Sequence, residues 1–237
     1  NKDNFKKNYI YEAIKNGAIA LITNYYFKDV KIPQFLVKNI HNSISNLLQA
    51  IKKIPPKNIV GITGTNGKTS VVWNISNITY LSNRNVKSYG TLGYYNNSKK
   101  IENSILTTPE YEILYQKAFT NSKKKEYEFI FEVSSHSISK KRIRGLPINI
   151  AALTNISQDH LDFHRTILNY RKTKFKLFLE YLSSNGIAIL NDKIDKINYL
   201  KKQLIKRNIK IITYGMNKSN IHCYKKNNRL QIKIINK

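Results

Sequence analysis

The segment Gly61 to Ser70 carries the strongest chemical signal in the sequence. It reads GITGTNGKTS, follows a predicted apolar strand and opens a predicted helix. A strand, a glycine-containing turn and a helix N-terminus in this order can turn backbone N–H groups toward phosphate oxygens. Lys68 would then reach the outer phosphates, and the Thr69 hydroxyl could bind Mg²⁺. The glycine spacing departs from the pattern G-x-x-x-x-G-K-[ST], so the sequence predicts a variant phosphate loop.

Acidic and imidazole side chains follow two other predicted strands. Glu132 ends a buried strand, and Asp159 and His160 come shortly after the strand predicted over Asn149 to Leu153. Because ligands of open α/β sheets collect beyond the carboxyl ends of the strands, we expect these groups near the phosphate loop. A carboxylate and an imidazole could share a metal with a nucleotide there. The alternative is structural, with Glu132 as a surface acid and His160 or His164 as a helix cap or core residue.

Strands and helices that alternate along the chain must position these residues. Strands are predicted over Lys57 to Thr63, Val86 to Tyr89, Glu128 to Val133, Asn149 to Leu153, Gly186 to Leu190 and Ile209 to Thr213. Helices are predicted over Lys68 to about Leu81, Glu110 to Asn121, Ile167 to Leu182 and Ile194 to Arg207. The strands are near-continuous apolar runs, typical of strands covered on both faces. The sequence therefore predicts an α/β fold, a mostly parallel sheet with helices on both faces.

Pro55-Pro56 divides the chain into two predicted domains, residues 1–54 and residues 57–237. The first is predicted to hold helices over Asn8 to Asn16 and Asn42 to Lys53, and strands over Ala18 to Thr23 and Gln34 to Val37. Two strands make a small α/β domain, so we expect its beginning to be missing. At the other end, alternating residues around Asn227-Asn228 predict a hairpin at a sheet edge.

The net charge is +27, which ordinarily suggests a nucleic-acid partner. However, Lys, Asn and Ile account for 34, 30 and 35 residues, and A- and T-rich codons encode all three. The lysines are also scattered and are not interleaved with aromatic residues as in a stacking platform. We therefore interpret the charge as a solvated surface and expect no nucleic-acid partner.

Cysteine content and hydropathy favour a cytoplasmic protein without membrane contact. Cys223 is the sole cysteine, so no internal disulfide can form. The apolar runs fall short of the roughly 20 residues that span a bilayer, and Asn1 to Ile10 do not form an export signal. Met216 is the sole methionine, so we expect the chain to be part of a longer protein. We also expect a monomer.

Taken together, the motifs resemble those of the Mur ligases. The matching segments are GTNGKTS (Gly64 to Ser70), LTTPE (Leu106 to Glu110), EVSSH (Glu132 to His136), Arg142, TNISQDHLDFH (Thr154 to His164) and YRKTKFKLF (Tyr170 to Phe178). They cover nearly the whole chain in the same order and at compatible spacing. They are most similar to the branch that adds the third residue of the peptidoglycan stem peptide. Folylpolyglutamate synthases share the loop and the acidic strand end.

The resemblance implies a site for ATP and Mg²⁺. The residues implied to hold ATP are Gly64, Thr65, Asn66, Gly67, Lys68, Thr69 and Ser70. Lys68 would contact the transferred phosphate, Thr69 would bind one Mg²⁺, and Glu132 and His160 would bind a second. Lys174 matches a lysine that is carbamylated in the family, where an anion replaces a cation beside the metals. By residue type and spacing alone, Lys174 would be an ordinary surface lysine.

The resemblance also implies an anionic substrate, UDP-MurNAc-L-Ala-D-Glu. The residues that match its binding positions are Thr107, Thr108, Ser134, Lys140 and Arg142, although relatives commonly have Gln at position 140. Hydroxyls and a guanidinium suit such a ligand. In the implied reaction, ATP phosphorylates the substrate carboxylate to an acyl phosphate, and an amino acid then displaces phosphate. That amino acid would be meso-diaminopimelate or L-lysine.

Mur ligases have a UDP-binding N-terminal domain, a central ATPase domain and a C-terminal Rossmann-like domain. The resemblance places residues 1–54 in part of the first domain and residues 57–237 in the second. Two alternatives stay open. One is another ligase of the superfamily, similar to folylpolyglutamate synthase, and the other is a truncated remnant without catalysis.

Overall fold

The structure is a computed structural model, and it describes residues 8–51, 53–120, 126–216, 219–226 and 229–235. The chain forms two compact units, with the boundary after Ile51. Among the described residues, no helix is long and apolar enough to cross a membrane. The part of the predicted first domain that precedes Asn8, and the predicted turn at Asn227-Asn228, lie outside the described residues.

Over residues 8–51, the N-terminal unit contains two helices and a parallel pair of strands. The elements are α1 (Asn8–Lys15), β1 (Leu21–Thr23), β2 (Gln34–Leu36) and α2 (Ile40–Ala50). Asn39 caps α2, because its side chain accepts a hydrogen bond from the N–H of Asn42. The Gln34 side chain fixes the connection between the strands by bonding the N–H and the carbonyl of Phe27. All four elements were predicted, with ends shifted by up to three residues.

The larger unit is built on one sheet. Its strands are β3 (Asn58–Thr63), β4 (Asn85–Gly90), β5 (Gly93–Asn96), β6 (Lys99–Glu102), β7 (Tyr127–Glu132), β8 (Ile148–Leu153), β9 (Leu182–Asn191), β10 (Lys210–Gly215), β11 (Ile221–Lys226) and β12 (Arg229–Ile234). Its helices are α3 (Lys68–Leu81), α4 (Tyr111–Ala118), α5 (Ser135–Ser139), α6 (Leu161–His164), α7 (Ile167–Lys176) and α8 (Ile197–Lys206). A π-helical turn, Leu177–Tyr181, continues α7.

Within the described residues the strand order is β12-β11-β10-β9-β8-β3-β7-β4-β5-β6. The strands from β11 to β4 in this order pair in parallel, while β12 at one edge and β5 and β6 at the other pair antiparallel. The predicted mostly parallel α/β fold is therefore confirmed, and so is the predicted hairpin. Because β8, β3, β7 and β4 are neighbours and parallel, the loops that follow them meet at one edge of the sheet.

The centre of the sheet is packed with apolar side chains. Val60, Ile62 and Ile130 of the inner strands pack with Val72 of α3 and Val86 of β4 in one apolar cluster. Strand β7 is buried at all its positions, including its two glutamates. A buried carboxylate needs a partner, and Glu128 has an ion pair with Arg84 at the start of the strand. The second glutamate lies at the opposite end and belongs to the site described below.

Some elements differ from the sequence prediction. Strands β5 and β6 were not predicted, because β6 is exposed at every position and so lacks the alternation that marks a strand. Helices α5 and α6 were also missed, since their five and four residues are too few to show helical periodicity. The helix predicted over Ile167 to Leu182 ends at Lys176, where the π-helical turn begins. Strand β9 starts at Leu182 rather than at Gly186.

Candidate functional site

The segment between β3 and α3 forms an open loop at the carboxyl edge of the sheet. Strand β3 ends at Thr63, and Gly67 precedes α3 with a left-handed backbone (φ 81°). A Cβ at Gly67 would meet nothing within 4 Å, so the loop faces open space here. At Gly64 a Cβ would collide with the Thr154 hydroxyl, and glycine is required. The first-turn N–H groups of α3 have no intrahelical acceptors and are suited to an anion.

The residues directly after β8 hold this loop in place. The Asn155 carbonyl accepts a bond from the Thr65 N–H at 2.9 Å, and the Asn155 side chain bonds both the N–H (2.9 Å) and the carbonyl (3.0 Å) of Asn66. The Thr154 hydroxyl donates to the Asn66 carbonyl at 2.7 Å, and the Ser157 N–H donates to the Thr65 hydroxyl at 3.0 Å. Sequence reasoning gave Asn155 no role, although its polar segment follows a buried strand.

Two further side chains support that segment from β9 and β10. The Asn191 amide donates to the Thr154 carbonyl at 2.8 Å. The Tyr214 hydroxyl bonds the carbonyls of Leu153 and Thr154 at 3.0 and 3.1 Å. The phosphate loop is thus connected through β8 to the next two strands of the sheet. Neither residue was predicted, because each contact joins positions far apart in the chain.

Two lysine ammonium groups converge on the loop. The Lys68 Nζ donates to the carbonyls of Gly64 and Thr65 at 3.0 and 2.8 Å, and the Lys174 Nζ donates to the same Gly64 carbonyl at 2.8 Å. Burial lowers the pKa of Lys68, while the negative charges of Glu132 and Asp159 act to raise it. Lys68 therefore places a positive charge beside the first turn of α3, where a phosphate could bind.

Lys174 is 1% exposed, so the prediction of a surface lysine from residue type and spacing alone is wrong. Its Nζ lies 4.5 Å from the centroid of the Tyr170 ring. Burial lowers the pKa of Lys174 to about 7, and the positive charge of Lys68 acts in the same direction. A lysine with this pKa is neutral for much of the time near pH 7, and a neutral amine is a nucleophile.

Glu132 ends β7 directly below the loop and is 1% exposed. Its Oε2 accepts a bond from the Thr69 hydroxyl at 3.0 Å. Its Oε1 accepts from the Thr91 N–H at 2.7 Å. Thr69 and Glu132, which the sequence assigned to two different Mg²⁺ ions, are therefore in direct contact. Hydroxyl and carboxylate oxygens are ligands that Mg²⁺ prefers.

His160 lies in a neighbouring group of aromatic side chains. It precedes α6 with a left-handed backbone (φ 51°), and its ring centroid is 5.1 Å from that of His136. Its Nε2 is 3.5 Å from an oxygen of Asp159. Among the described residues, no cluster of three or more His, Cys, Asp and Glu side chains could hold a metal. The role of His160 as a metal ligand stays a prediction.

His164 was predicted as a possible core residue, and it is buried beside Tyr170 with ring centroids 5.1 Å apart. Within the described part of the chain, its Nε2 has no hydrogen-bond partner. Burial lowers the pKa of His164, and the charges of His136 and Lys174 act in the same direction. His164 is thus held as a neutral ring close to the buried lysine.

Three of the predicted substrate residues form one cluster beside the end of β7. The Thr108 hydroxyl donates to the Glu132 carbonyl at 2.7 Å and accepts from the Ser134 N–H at 3.0 Å. Arg142 donates to the Thr108 carbonyl at 3.3 Å and has an ion pair with Glu110 at 2.6 Å. The Ser134 hydroxyl caps α5. These groups hold the segment before α4 and the segment after β7 together.

The remaining predicted residues lie at the border of this cluster. The Thr107 hydroxyl is 3.2 Å from the Thr91 hydroxyl, which sequence reasoning did not single out. Lys140 is exposed at the C-terminus of α5, and its charge contributes to the lowered pKa of His136 after burial and His160. Ser70 is exposed on the first turn of α3.

These features define a class of protein: an α/β domain whose central strands present a glycine-containing loop beside a hydroxyl and carboxylate pair. Residues 62–236 match the sequence model of the Mur ligase middle domain. The chain belongs to the Mur ligase family.

Two similar sequences from Rickettsia carry the same name. The chain is 37% identical over 212 residues to the UDP-N-acetylmuramoyl-L-alanyl-D-glutamate--2,6-diaminopimelate ligase of Rickettsia montanensis, covering 87% of this chain and 44% of the relative. It is 35% identical over 234 residues to the ligase of the same name from Rickettsia bellii, covering 96% and 48%. The chain thus spans about half the length of these relatives.

Solved structures share the fold. A structure of a UDP-N-acetylmuramoyl-L-alanyl-D-glutamate--2,6-diaminopimelate ligase superposes with a TM-score of 0.72 at 24% identity, over 92% of this chain and 45% of that chain. The MurF ligase of Thermotoga maritima in complex with ADP gives 0.60 at 20% identity, over 92% and 46%. E. coli FolC in complex with DHPP and ADP gives 0.57 at 15% identity, over 81% and 49%.

Proposed function

We propose that this chain is part of an ATP-dependent amide ligase that joins 2,6-diaminopimelate to UDP-MurNAc-L-Ala-D-Glu. The observation that carries the proposal is the 37% identity with a ligase of that name over 87% of the chain. In the proposed reaction the substrate carboxylate attacks the γ-phosphorus of ATP, and ADP leaves. The amine of diaminopimelate then attacks the acyl carbon, an amide bond forms, and phosphate leaves with the loss of one amine proton.

The phosphate loop is proposed to bind ATP. Gly64 to Ser70 would surround its phosphates, with the first turn of α3 supplying N–H groups and Lys68 supplying a positive charge. Thr69 would hold one Mg²⁺, and Glu132 and His160 would hold a second. When bound, Mg²⁺ would offset negative charge on the phosphoryl oxygens. The open space at Gly67 and the bond between Thr69 and Glu132 at 3.0 Å support this assignment.

We further propose that Lys174 is carbamylated. Its neutral amine would attack CO₂, form a nitrogen to carbon bond and release one proton, which replaces a buried cation with an anion. The pKa of about 7, caused first by burial and then by Lys68, supports this reaction near neutral pH. An anion would also suit a position beside Lys68 better than a second cation.

The substrate end is proposed to lie along Thr107, Thr108, Ser134, Lys140 and Arg142. Arg142 is held by Thr108 and Glu110, and its Nε has no hydrogen-bond partner within the described residues. A buried guanidinium with a free donor suits a carboxylate or phosphate of the muropeptide. The N-terminal unit is proposed to be part of the domain that binds the UDP group.

The proposal is tested by assaying the complete gene product with Mg-ATP and UDP-MurNAc-L-Ala-D-Glu. Mass spectrometry should detect the tripeptide product when diaminopimelate is added. Lys68→Ala should abolish the product, while Lys57→Ala, which changes an exposed lysine at the other end of β3, should retain it. A product with L-lysine alone would overturn the choice of amino acid. Glutamate addition to a folate would instead support the folylpolyglutamate-synthase-like alternative, and failure to bind Mg-ATP would support a remnant.

Carbamylation has a direct spectroscopic test. The complete gene product with ¹³C-labelled bicarbonate should show a carbamate carbon signal by NMR. The signal should vanish in Lys174→Ala and persist in Lys172→Ala, which removes an exposed lysine of the same helix. A signal that survives Lys174→Ala would place the carbamate elsewhere, and no signal in the unchanged protein would overturn the assignment.

A further inference from the structure

Thr91, the first residue after β4, contacts two parts of the site at once. Its N–H donates to Glu132 Oε1 at 2.7 Å, and its hydroxyl donates to Glu132 Oε2 at 3.3 Å. The same hydroxyl lies 3.2 Å from the Thr107 hydroxyl. The Thr91 carbonyl accepts a bond from the Ser104 hydroxyl at 3.2 Å. Thr91 therefore connects the carboxylate at the end of β7 with the loop between β6 and α4.

The direction of these bonds follows from counting protons. A threonine hydroxyl has one proton and two lone pairs. Because Thr91 donates its proton to Glu132, the bond between the two threonines requires Thr107 to be the donor. The chain of bonds thus runs from Thr107 through Thr91 to Glu132. A Thr107 hydroxyl that donates in this way has lone pairs left to accept a bond from a ligand.

The carboxylate in this chain has little freedom. It lies so close to Gly90 that a Cβ there would collide with the Glu132 side chain. Thr69 and Thr91 bond its two oxygens from the other directions. A change in the position of Thr91 is therefore transmitted to Glu132, because the buried carboxylate cannot move away independently.

We propose that Thr91 is a positioning residue that couples the nucleotide end of the site with the muropeptide end. The proposal rests on the function proposed above, in which Glu132 faces Mg-ATP and Thr107 faces the muropeptide. Binding at either end fixes one terminus of the hydrogen-bond chain and so favours the bound arrangement of the other. The two ligands should therefore bind with positive cooperativity, and the Thr91 hydroxyl should carry part of it.

Thr91→Val tests the proposal because it removes the hydroxyl but keeps the shape of the side chain and the bond from the backbone N–H to Glu132. Thr91 is exposed, so the change leaves no core cavity. In the complete gene product, the affinity for UDP-MurNAc-L-Ala-D-Glu is measured with and without the nonhydrolysable nucleotide AMP-PNP and Mg²⁺. Thr91→Val should reduce the gain in affinity about tenfold, the size expected for one hydrogen bond to a carboxylate. Thr91→Ser should restore it.

Two controls separate positioning from a general effect. Thr79→Val loses a hydroxyl that bonds only its own helix, at the Ile75 carbonyl, and should leave the cooperativity unchanged. In a double-mutant cycle, Thr107→Val should add little to Thr91→Val, since both remove the same chain of bonds. Additive losses, or equal cooperativity in Thr91→Val and Thr79→Val, would overturn the inference. If the unchanged protein does not bind the muropeptide, the proposed function fails instead.

Discussion

Lys174 has a primary amine that the fold removes almost completely from water. It shares the Gly64 carbonyl with Lys68, so two ammonium groups compete for one acceptor. Desolvation and the like charge both disfavour the protonated form of Lys174. The folded chain therefore holds at this position a side chain that costs free energy as a cation and costs less as a neutral amine.

This cost should appear as a pH dependence of stability. The pKa of Lys174 is about 7 in the folded chain against 10.5 for an exposed lysine, so between these values the unfolded chain binds a proton that the folded chain does not. The free energy of unfolding should rise with pH in this window, by at most about 1.4 kcal/mol per pH unit from this group. Below pH 7 both states are protonated and the full penalty remains.

The measurement compares urea unfolding of the unchanged protein and Lys174→Met at pH 7, 8 and 9 in CO₂-free buffer. The stability advantage of Lys174→Met should be largest at pH 7 and shrink as the pH rises. Other titrating groups cancel in the difference between the two proteins. Parallel pH profiles would show that Lys174 is not a desolvated amine.

Glu132 should set the magnesium requirement through its charge. Glu132→Gln keeps an oxygen that accepts bonds from Thr69 or Thr91 but removes the negative charge that a divalent cation needs. The Mg²⁺ concentration for half-maximal nucleotide binding should rise about tenfold, equivalent to one hydrogen bond to a charged group. A titration with Mg²⁺ at fixed nucleotide measures it.

Glu126→Gln is the matched control for this titration. It removes an exposed carboxylate that pairs with Lys57 at the opposite end of the sheet. Its magnesium requirement should equal that of the unchanged protein. If both variants titrate alike, Glu132 does not bind the metal.

At the scale of elements, the connection after β8 shapes the phosphate loop. The Asn155 side chain makes two hydrogen bonds with the backbone of Asn66, and these residues are 89 positions apart in the sequence. Such a contact exists only because β3 and β8 are neighbours in the sheet. The connection that follows an adjacent strand therefore fixes the shape of the loop.

Asn155→Ala should weaken nucleotide binding about tenfold, because Asn66 loses both of its bonds to the Asn155 side chain and must be ordered on binding. The affinity for ADP with Mg²⁺ should be measured by calorimetry. Asn77→Ala provides the control, since Asn77 is a half-buried residue of α3 that bonds the Trp73 carbonyl and Ser98. Equal ADP affinity in the two variants would show that the connection after β8 does not shape the loop.

Local sequence signals were enough for the long elements. Helix α3 was predicted over Lys68 to Leu81, the bounds it has in the structure, because an apolar strand and a glycine turn mark its start. Strand β7 is buried on both faces and was also found, because Phe129, Ile130 and Phe131 at its centre form an apolar run. By contrast, β6 is stabilised by pairing with β5, and α5 by the Ser134 cap. Short elements of this kind depend on tertiary contacts that no single window of sequence contains.

The site residues show the same difference between local sequence signals and long-range contacts. Residue types and order were sufficient to identify the loop and the strand-end Glu132, whose contact with Thr69 the structure shows. The burial of Lys174 could not be read from its helix, which is rich in lysine. Thr91 and Asn155 were missed as contributors because their role lies in bonds to distant backbone and carboxylate groups.

At the scale of the whole molecule, strand order assembles the site. The sequence order of β3, β4, β7 and β8 differs from their order in the sheet, where β3 lies between β8 and β7. Gly64 and Lys174, which are far apart in the sequence, are thereby brought into contact at one edge of the sheet. Strands β9 and β10 extend the sheet beyond β8 and support it through Asn191 and Tyr214. The chemistry is thus concentrated at the middle of the sheet, away from its antiparallel edges.

The charge of +27 is a property of the whole surface, and it predicts a specific binding behaviour. Scattered lysines attract any polyanion, but they carry no pattern that selects a base sequence. Two unrelated DNA duplexes should therefore bind equally at 50 mM KCl. Both affinities should fall about a thousandfold at 200 mM KCl, since the attraction depends on counterion release. Fluorescence anisotropy with labelled duplexes measures both.

Nucleotide binding should respond differently to salt. An ATP site built from the first turn of α3, Lys68 and the buried Glu132 contains few charges, all close to the ligand, so the affinity for Mg-ATP should change far less between the two salt concentrations than that for DNA. A preference for one duplex that survives at 200 mM KCl would contradict the interpretation of the charge as a solvated surface. It would then assign a nucleic-acid partner to this chain.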